Sequence, residues 1–179
     1  MRHGRTGAVS EKELENKGFH TVIEDLNDKV DIIYRHGLLL ENYSGRVRDY
    51  GNGYQMSEVE AHTLSYICAN GEATVTGMAA YTFRTKGSVS KILKKLESKG
   101  LIQRQQKGDN KKWVYFQPTE QGLEFDKAHR SYDRIKTMEM IEALLADCTL
   151  EEIESFYKVT ALRVRFLEKK HMEADGTFA

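Results

Sequence analysis

Five lysines lie along one short stretch of the chain, from Thr85 to Ile102, against a single acidic residue, Glu97. They are Lys86, Lys91, Lys94, Lys95 and Lys99. Ammonium groups gathered in this way neutralise the phosphates of a nucleic-acid backbone. The period of a helix places the apolar residues of the stretch on one side and leaves the lysines on the others. These apolar residues are Val89, Ile92, Leu93 and Leu96. The stretch therefore predicts an amphipathic helix whose outer side binds a polyanion.

The first turn of this helix carries residue types that suit contact with DNA bases. Gly87 and Ser88 are small and allow close approach to base edges, and the hydroxyls of Ser88 and Ser90 can bond to bases or phosphates. The helix N-terminus itself favours a phosphate, and the lysines further along are expected to meet the DNA backbone. The predicted contact residues of the helix are Thr85, Lys86, Gly87, Ser88, Ser90, Lys91, Lys94 and Lys95.

The charge of the chain is polarised although its formal net charge is zero. Residues 84–112 hold ten basic and two acidic side chains, so this segment carries +8 and the remainder −8. A lysine-rich helix alone is usually solvated surface. Here a basic hairpin follows the helix directly and the rest of the chain is acidic, so the polarisation favours a nucleic-acid partner.

The elements around the basic helix predict a winged helix-turn-helix. A capping-box pattern begins a helix over 57–70. A short helix over 74–83 and the basic helix over 85–99 follow, and then a two-stranded hairpin over 101–117 with a basic tip. In such an arrangement the third helix enters the major groove of DNA, and the tip of the wing meets a neighbouring minor groove.

Long helices with apolar sides flank this unit. Helical periodicity predicts them over 19–43, 119–146 and 150–169, and the stretch SGRVRDYGNGYQM over 44–56 predicts a loop. Each long helix carries more apolar surface than a small domain could hide, which fits a dimer. The predicted class is mainly α with a small β wing. In the helix that begins at Thr119, the predicted apolar side consists of Leu123, Ala128, Tyr132, Ile135, Met138, Ile141 and Leu145.

Residues 57–123 resemble the MarR family of bacterial transcription regulators. The resemblance rests on the recognition-helix pattern GSVSKILKKLESKGLI and on the wing GDNKKWVYFQPTEQG, which leads into a Thr-x-x-Gly start of the next helix. The family's wing usually has Asp-x-Arg, whereas this chain has Asp109, Asn110 and Lys111, so the charge is kept without the planar fork of arginine. The wing residues expected at DNA are Lys107, Asp109, Lys111 and Lys112.

The resemblance implies a cytoplasmic homodimer that binds a near-palindromic promoter site as a repressor and is released by a small-molecule effector of unknown identity. Its helical dimerisation region would span 19–43 and 119–170, and its winged helix-turn-helix DNA-binding domain 57–118. Residues 1–18 and 171–179 would be mobile tails. No apolar run approaches the ~18 residues of a membrane span, and no cofactor is expected.

Residue patterns for other chemistry are sparse. The sequence has no Gly-rich phosphate loop, no nucleophile elbow and no metal-spaced cluster, so we expect no enzyme. Cys148 lies in a predicted turn close to a helix start and is the better redox candidate, whereas Cys68 is interpreted as a small buried hydrophobe. No two histidines are three or four residues apart, so no helix offers a zinc-binding face. A site assembled from Glu24, His36 or His129 stays open.

Two alternatives to a DNA-binding regulator stay open. A winged helix can dock its basic face on an acidic protein, and DNA binding would then be weak and independent of sequence. The chain could also be a ligand or redox sensor with weak DNA binding, for which ligand-induced stabilisation would be strong.

Overall fold

The computed structural model describes residues 21, 23–24, 26–27, 29–51, 53–106 and 114–174. Along these residues the elements are α1 (Val30–Ser44), β1 (Val47–Asp49), β2 (Gln55–Ser57), α2 (Glu58–Asn70), α3 (Val75–Thr82), α4 (Lys86–Ser98), β3 (Ile102–Gln106), β4 (Val114–Pro118), α5 (Glu120–Leu144) and α6 (Leu150–Ala174). The described residues between 21 and 27 are helical as well. The predicted class, mainly α with a small β wing, is confirmed.

Side-chain caps fix where the helices of the winged unit begin. The side chains of Ser57, Thr74, Thr85 and Thr119 each accept a hydrogen bond from the backbone N–H three residues further on. Such a bond satisfies a donor that the helix leaves free. Ser57 also completes a capping box, because Glu60 Oε2 accepts from its backbone N–H at 3.1 Å. The predicted starts of these helices are confirmed.

The prediction of a loop over 44–56 is wrong, because β1 and β2 pair there in an antiparallel hairpin with Arg48 opposite Met56. Each strand has only three residues, too few for an alternating pattern to stand out in the sequence. Asp49 holds the turn, since its Oδ1 accepts from the backbone N–H of Gly51 at 2.8 Å. Met56 is fully buried, so the hairpin anchors the connection from α1 to the core.

One hydrophobic core joins α2, α3, α4, the wing strands and the start of α5. β3 and β4 pair with Arg104 opposite Phe116, and Ala73 forms a bridge to Phe116, which ties the wing to the approach to α3. The apolar sides predicted for the three helices of the winged unit are buried, at Leu64, Ile67, Met78, Val89, Leu93 and Leu96. The core therefore holds α4 and the wing strands as one body.

α5 turns a different side to the core than its sequence suggests. Its buried residues are Gly122, Phe125, Asp126 and His129. A Cβ at Gly122 would lie 2.0 Å from the carbonyl oxygen of Leu101, so a glycine is needed where the helix meets the chain before β3. This close approach sets the rotation of the helix and leaves Leu123, on the predicted apolar side, 51% exposed in the single chain.

The long helices keep much apolar surface outside the core of the single chain. In α1, which is described throughout, no residue is buried, and among the described side chains of α6 only Ile153 is. α6 runs to Ala174, four residues beyond the predicted end of the helical region at residue 170. Residues 1–18 and 175–179, the rest of the predicted tails, lie outside the described residues. No helix within the described ranges is long and apolar enough to cross a membrane.

Candidate nucleic-acid interface

α4 presents a basic outer side because its apolar side packs into the core, with Ile92 only partly buried. Val89, Leu93 and Leu96 are at most 2% exposed. Thr85 caps the helix and accepts from the backbone N–H of Ser88 at 3.2 Å. Of the eight contact residues predicted for this helix, six are exposed, and Ser88 and Ser90 are half-buried. The residues that the sequence singled out therefore lie together at the surface of one helix and its cap.

Gly87 is not required by the packing of the chain. A Cβ at this position would meet only Thr85 Oγ1, at 4.0 Å. Alanine would fit there, and inside a helix it is more stable than glycine by roughly 0.5–1 kcal/mol. A glycine at an exposed helix start, where the fold has room for a side chain, leaves space for close approach from outside.

The turn between α3 and α4 fixes the direction in which α4 leaves the core. Phe83 ends α3 in the left-handed region, at φ +52°, which residues other than glycine seldom adopt. The backbone N–H of Arg84 donates to the Ala79 carbonyl oxygen at 3.2 Å and closes the turn. The Phe83 ring also meets His171 of α6 edge to face, with 5.5 Å between ring centroids. The C-terminal part of α6 therefore contacts the helix-turn-helix.

Two of the lysines are tied to the body of the winged unit. Lys95 Nζ lies 2.8 Å from Glu60 Oε1, and Lys99 Nζ donates to the Gln55 carbonyl oxygen at 2.7 Å. Glu60 is buried, which raises its pKa, but hydrogen bonds from Lys95 and from the Ser57 N–H outweigh burial and hold the pKa below its ordinary value. The Glu60 carboxylate is therefore charged at neutral pH and fixes α4 against the start of α2.

The wing is described as far as the last residues of its two strands. Gln106 of β3 pairs with Val114 of β4. The predicted wing contacts Lys107, Asp109, Lys111 and Lys112 lie outside the described residues and stay predictions.

The two cysteines lie in different surroundings. Cys68 is half-buried, with its Sγ 3.9 Å from the Gly122 carbonyl oxygen. Burial raises the pKa of the Cys68 thiol to about 11, so it stays protonated and poorly reactive at neutral pH. This agrees with its interpretation as a small hydrophobe. Cys148 is exposed between α5 and α6, and its redox role stays a prediction.

A cluster of metal-ligand residue types lies where α2 meets α5. His62, His129 and Asp133 each offer one ligand atom, and these atoms lie within 4.8 Å of one another. His129 Nε2 is 3.2 Å from Asp133 Oδ2, and His62 Nε2 is 3.9 Å from the same oxygen. The sequence does not predict this cluster, because no two histidines have the spacing of a zinc-binding helix face and His62 is 67 positions from His129. The available signal was the spacing of His129 and Asp133, one helical turn apart on α5.

The hydrogen bonds around His129 determine which of its nitrogens carries a proton. Ser65 donates its single hydroxyl proton to Asp126, so toward His129 Nδ1, 3.2 Å away, it can only accept. The lone pair of the other nitrogen, Nε2, then faces the Asp133 carboxylate without a hydrogen bond. Burial lowers the pKa of His129, although Asp133 opposes this, so the ring is neutral at pH 7. Two facing acceptors of this kind are well suited to share a cation.

The sequence profile of the MarR family matches residues 54–112, from the turn before β2 into the wing. Over 84 residues the chain is 37% identical to YhjH of Bacillus subtilis (strain 168), described as an uncharacterized HTH-type transcriptional regulator. The match covers 47% of this chain and 48% of that protein, so the chain spans about half the length of this relative. The family resemblance drawn from the sequence is confirmed for the winged segment.

Several solved structures share the fold beyond this segment. FabT of Streptococcus pneumoniae, in complex with DNA, has a TM-score of 0.57 at 24% identity, covering 82% of this chain and 98% of its own. ZitR of Lactococcus lactis, described as a zinc-responsive MarR family member, has a TM-score of 0.58 at 17% identity, covering 79% and 99%. ZitR in complex with DNA has a TM-score of 0.56 at 22% identity, covering 79% and 97%.

Proposed function

We propose that this protein is a sequence-specific DNA-binding transcription regulator that acts as a homodimer, because residues 54–112 match the sequence profile of the MarR family. It would repress by occupying a near-palindromic promoter site. The observation that carries this proposal is the exposed basic side of α4, whose opposite, apolar side packs into the core. FabT and ZitR, which share the fold, are each seen in complex with DNA, and this supports the same partner here.

In this proposal the first turn of α4 enters the major groove. Gly87 and Ser88 would approach base edges, and the helix N-terminus would face a phosphate. Lys91 and Lys94, both exposed on the outer side, would neutralise phosphates along the groove. Lys95 would act mainly by fixing the helix through Glu60, which already takes its ammonium group.

A second copy of the chain would cover the apolar surface of the long helices. An apolar groove of about 560 Å³ between α6 and the helical residues before and in α1 is lined by Ile23, Leu26, Val30, Ile33 and Val159. Exposed apolar surface on this scale usually marks an association site. A two-fold dimer would present two α4 helices to successive turns of one face of the duplex, ~34–36 Å apart.

The test of this function is selection of bound duplexes from a random DNA library, followed by sequencing. Enrichment of a near-palindrome would support a dimeric, sequence-specific regulator. Lack of any enrichment, with binding that disappears at modest salt, would contradict it and favour a winged helix that docks on an acidic protein.

A second function, response to a divalent transition metal, is favoured by the cluster of His62, His129 and Asp133. Zn²⁺ binds nitrogen and oxygen ligands at ~2.0–2.2 Å, so two ligands of a tetrahedral ion lie about 3.3 Å apart. The separations of 3.2 and 3.9 Å in the cluster approach this spacing. A half-open cavity of about 400 Å³, lined in part by these three residues, gives an ion access. ZitR is described as zinc-responsive, and an ion here would join α2 of the winged unit to α5.

The metal response is tested by titrating Zn²⁺ into the protein and measuring its affinity for the selected duplex. The affinity of the wild-type protein should change, and that of a His62→Ala variant should not. Equal responses of the two proteins would contradict the assignment of the response to this cluster.

A further inference from the structure

We propose that Glu58 is the fourth ligand of this metal site and that a bound ion takes Glu58 from Arg48. The inference rests on the metal response proposed above. Three protein donors at a tetrahedral ion leave one position for a further ligand. Glu58 lies one helical turn before His62 on α2, and its Oε1 is 3.7 Å from His62 Nε2. This separation is again close to the spacing of about 3.3 Å between two ligands of one tetrahedral ion.

Among the described residues, buried side-chain atoms without a hydrogen-bond partner lie around this cluster. The buried side-chain atoms without a hydrogen-bond partner there are Tyr50 Oη, Glu58 Oε2 and His129 Nε2. Buried polar atoms are normally hydrogen-bonded, so their concentration at one place points to a ligand site. The Tyr50 ring packs edge to face on His129, with 4.9 Å between ring centroids, which places the tyrosine beside the cluster. Glu58 contributes an acceptor at the edge of the cluster, on the side of His62.

The present partner of Glu58 holds it only weakly. Arg48 Nη1 lies 3.7 Å from Glu58 Oε2, beyond the range of a direct hydrogen bond. The same guanidinium donates through Nη2 to the Tyr43 carbonyl oxygen and lies 4.1 Å from the centre of the Tyr43 ring. Arg48 is therefore anchored on the end of α1 and reaches Glu58 across the β1–β2 hairpin. Arg48 is held more firmly by Tyr43 than by Glu58. A metal ion can therefore bind Glu58 while Arg48 keeps its contacts with Tyr43.

Through this exchange of partners, binding of the ion can affect the DNA-binding unit. Before binding, Arg48 joins the end of α1 to the start of α2. After binding, Glu58 and His62 of α2 share an ion with His129 and Asp133 of α5. The ion would thus replace a link between α1 and α2 by a link between α2 and α5. Since α2 packs against α4, this change of partners would alter the position in which α4 meets DNA.

The test measures Zn²⁺ affinity by competition with a chromophoric chelator, and the visible spectrum of bound Co²⁺ as a report of its coordination. The variants are Glu58→Gln and Arg48→Gln, with Glu124→Gln, an exposed acid of α5 outside the cluster, as matched control. Glu58→Gln should weaken Zn²⁺ binding by about 10–100-fold or more and alter the Co²⁺ spectrum. Arg48→Gln removes the competitor and should tighten binding by roughly two- to fivefold. Glu124→Gln should match the wild type.

Each outcome bears on a separate part of the proposal. Wild-type affinity and spectrum in Glu58→Gln would overturn Glu58 as a ligand, and unchanged affinity in Arg48→Gln would overturn the exchange with arginine. A variant that merely folded poorly would bind Zn²⁺ more weakly. The predicted gain in Zn²⁺ affinity for Arg48→Gln therefore cannot arise from poor folding. A wild-type protein that binds neither ion would overturn the whole metal site. The DNA-binding proposal is tested separately, by affinity for the selected duplex in metal-free buffer.

Discussion

Gly87 stands at an exposed helix start where the chain leaves room for a side chain. We predict that Gly87→Ala leaves the free energy of unfolding equal or slightly raised, because alanine is the better helix former. The same change should weaken affinity for the selected duplex by about tenfold or more, the scale of one lost base contact. Urea denaturation and a binding titration check the two effects. Unchanged DNA affinity would show that no base edge approaches this position.

Lys91 and Lys95 carry the same charge on the same helix but have different partners. Lys95 Nζ bonds to Glu60, whereas Lys91 lies on the exposed outer side. Replacing a lysine that neutralises a phosphate lowers the log–log salt slope by about 0.9 for each contact, and a dimer loses two contacts. We predict a slope lower by roughly two for Lys91→Ala and a clearly smaller change for Lys95→Ala. Equal slopes in the two variants would contradict the structural role assigned to Lys95.

At the residue scale, the sequence predicts what depends on residue type and nearby spacing. The basic and small residues of α4 stand out because their charge and size follow from the residue types in the sequence. The engagement of Lys95 is not visible, because its partner Glu60 is 35 positions away and comes close only when α4 packs on α2. The same holds for His62, which meets His129 and Asp133 only in the fold.

At the element scale, the close approach of α5 to the backbone at Leu101 rests on Gly122. We predict that Gly122→Ala lowers the free energy of unfolding by about 1–3 kcal/mol, because the added methyl group would displace the Leu101 carbonyl. Urea denaturation at one fixed protein concentration measures this loss. Gly87→Ala is the matched control, since the same substitution there meets only Thr85 Oγ1, at an ordinary contact distance of 4.0 Å. Similar stabilities for the two variants would contradict the packing described here.

The starts of α2, α3, α4 and α5 are predictable because Ser or Thr caps act within one turn. The β1–β2 hairpin and the inward side of α5 are not, for different reasons. The hairpin strands are three residues long, so no alternation shows. α5 buries Asp126 and His129 on the side where Ser65 of α2 hydrogen-bonds to Asp126 Oδ1 and His129 Nδ1, and these contacts depend on the tertiary structure rather than on periodicity.

At the scale of the whole molecule, the apolar surface of α1 and α6 predicts association of two chains. Sedimentation analysis should give a mass twice the 20.6 kDa of one chain. Val159, more than half exposed in the apolar groove, should be essential to this contact, so Val159→Asp should shift the protein toward monomer. Lys158→Asp, which places an aspartate one position earlier on α6 and changes the charge by two units instead of one, should still have the smaller effect. A monomeric wild-type protein would contradict the proposed assembly.

In the proposed function, a dimer of this protein reads duplex DNA through two copies of α4. Hydroxyl-radical footprinting on the selected duplex tests it most directly. We predict two protected segments whose centres lie about 10–10.5 base pairs apart, or a multiple of this, on one face of the duplex. The protection should be absent on a shuffled duplex of equal length. Uniform protection of both duplexes, or none on either, would contradict sequence-specific binding by a two-fold dimer.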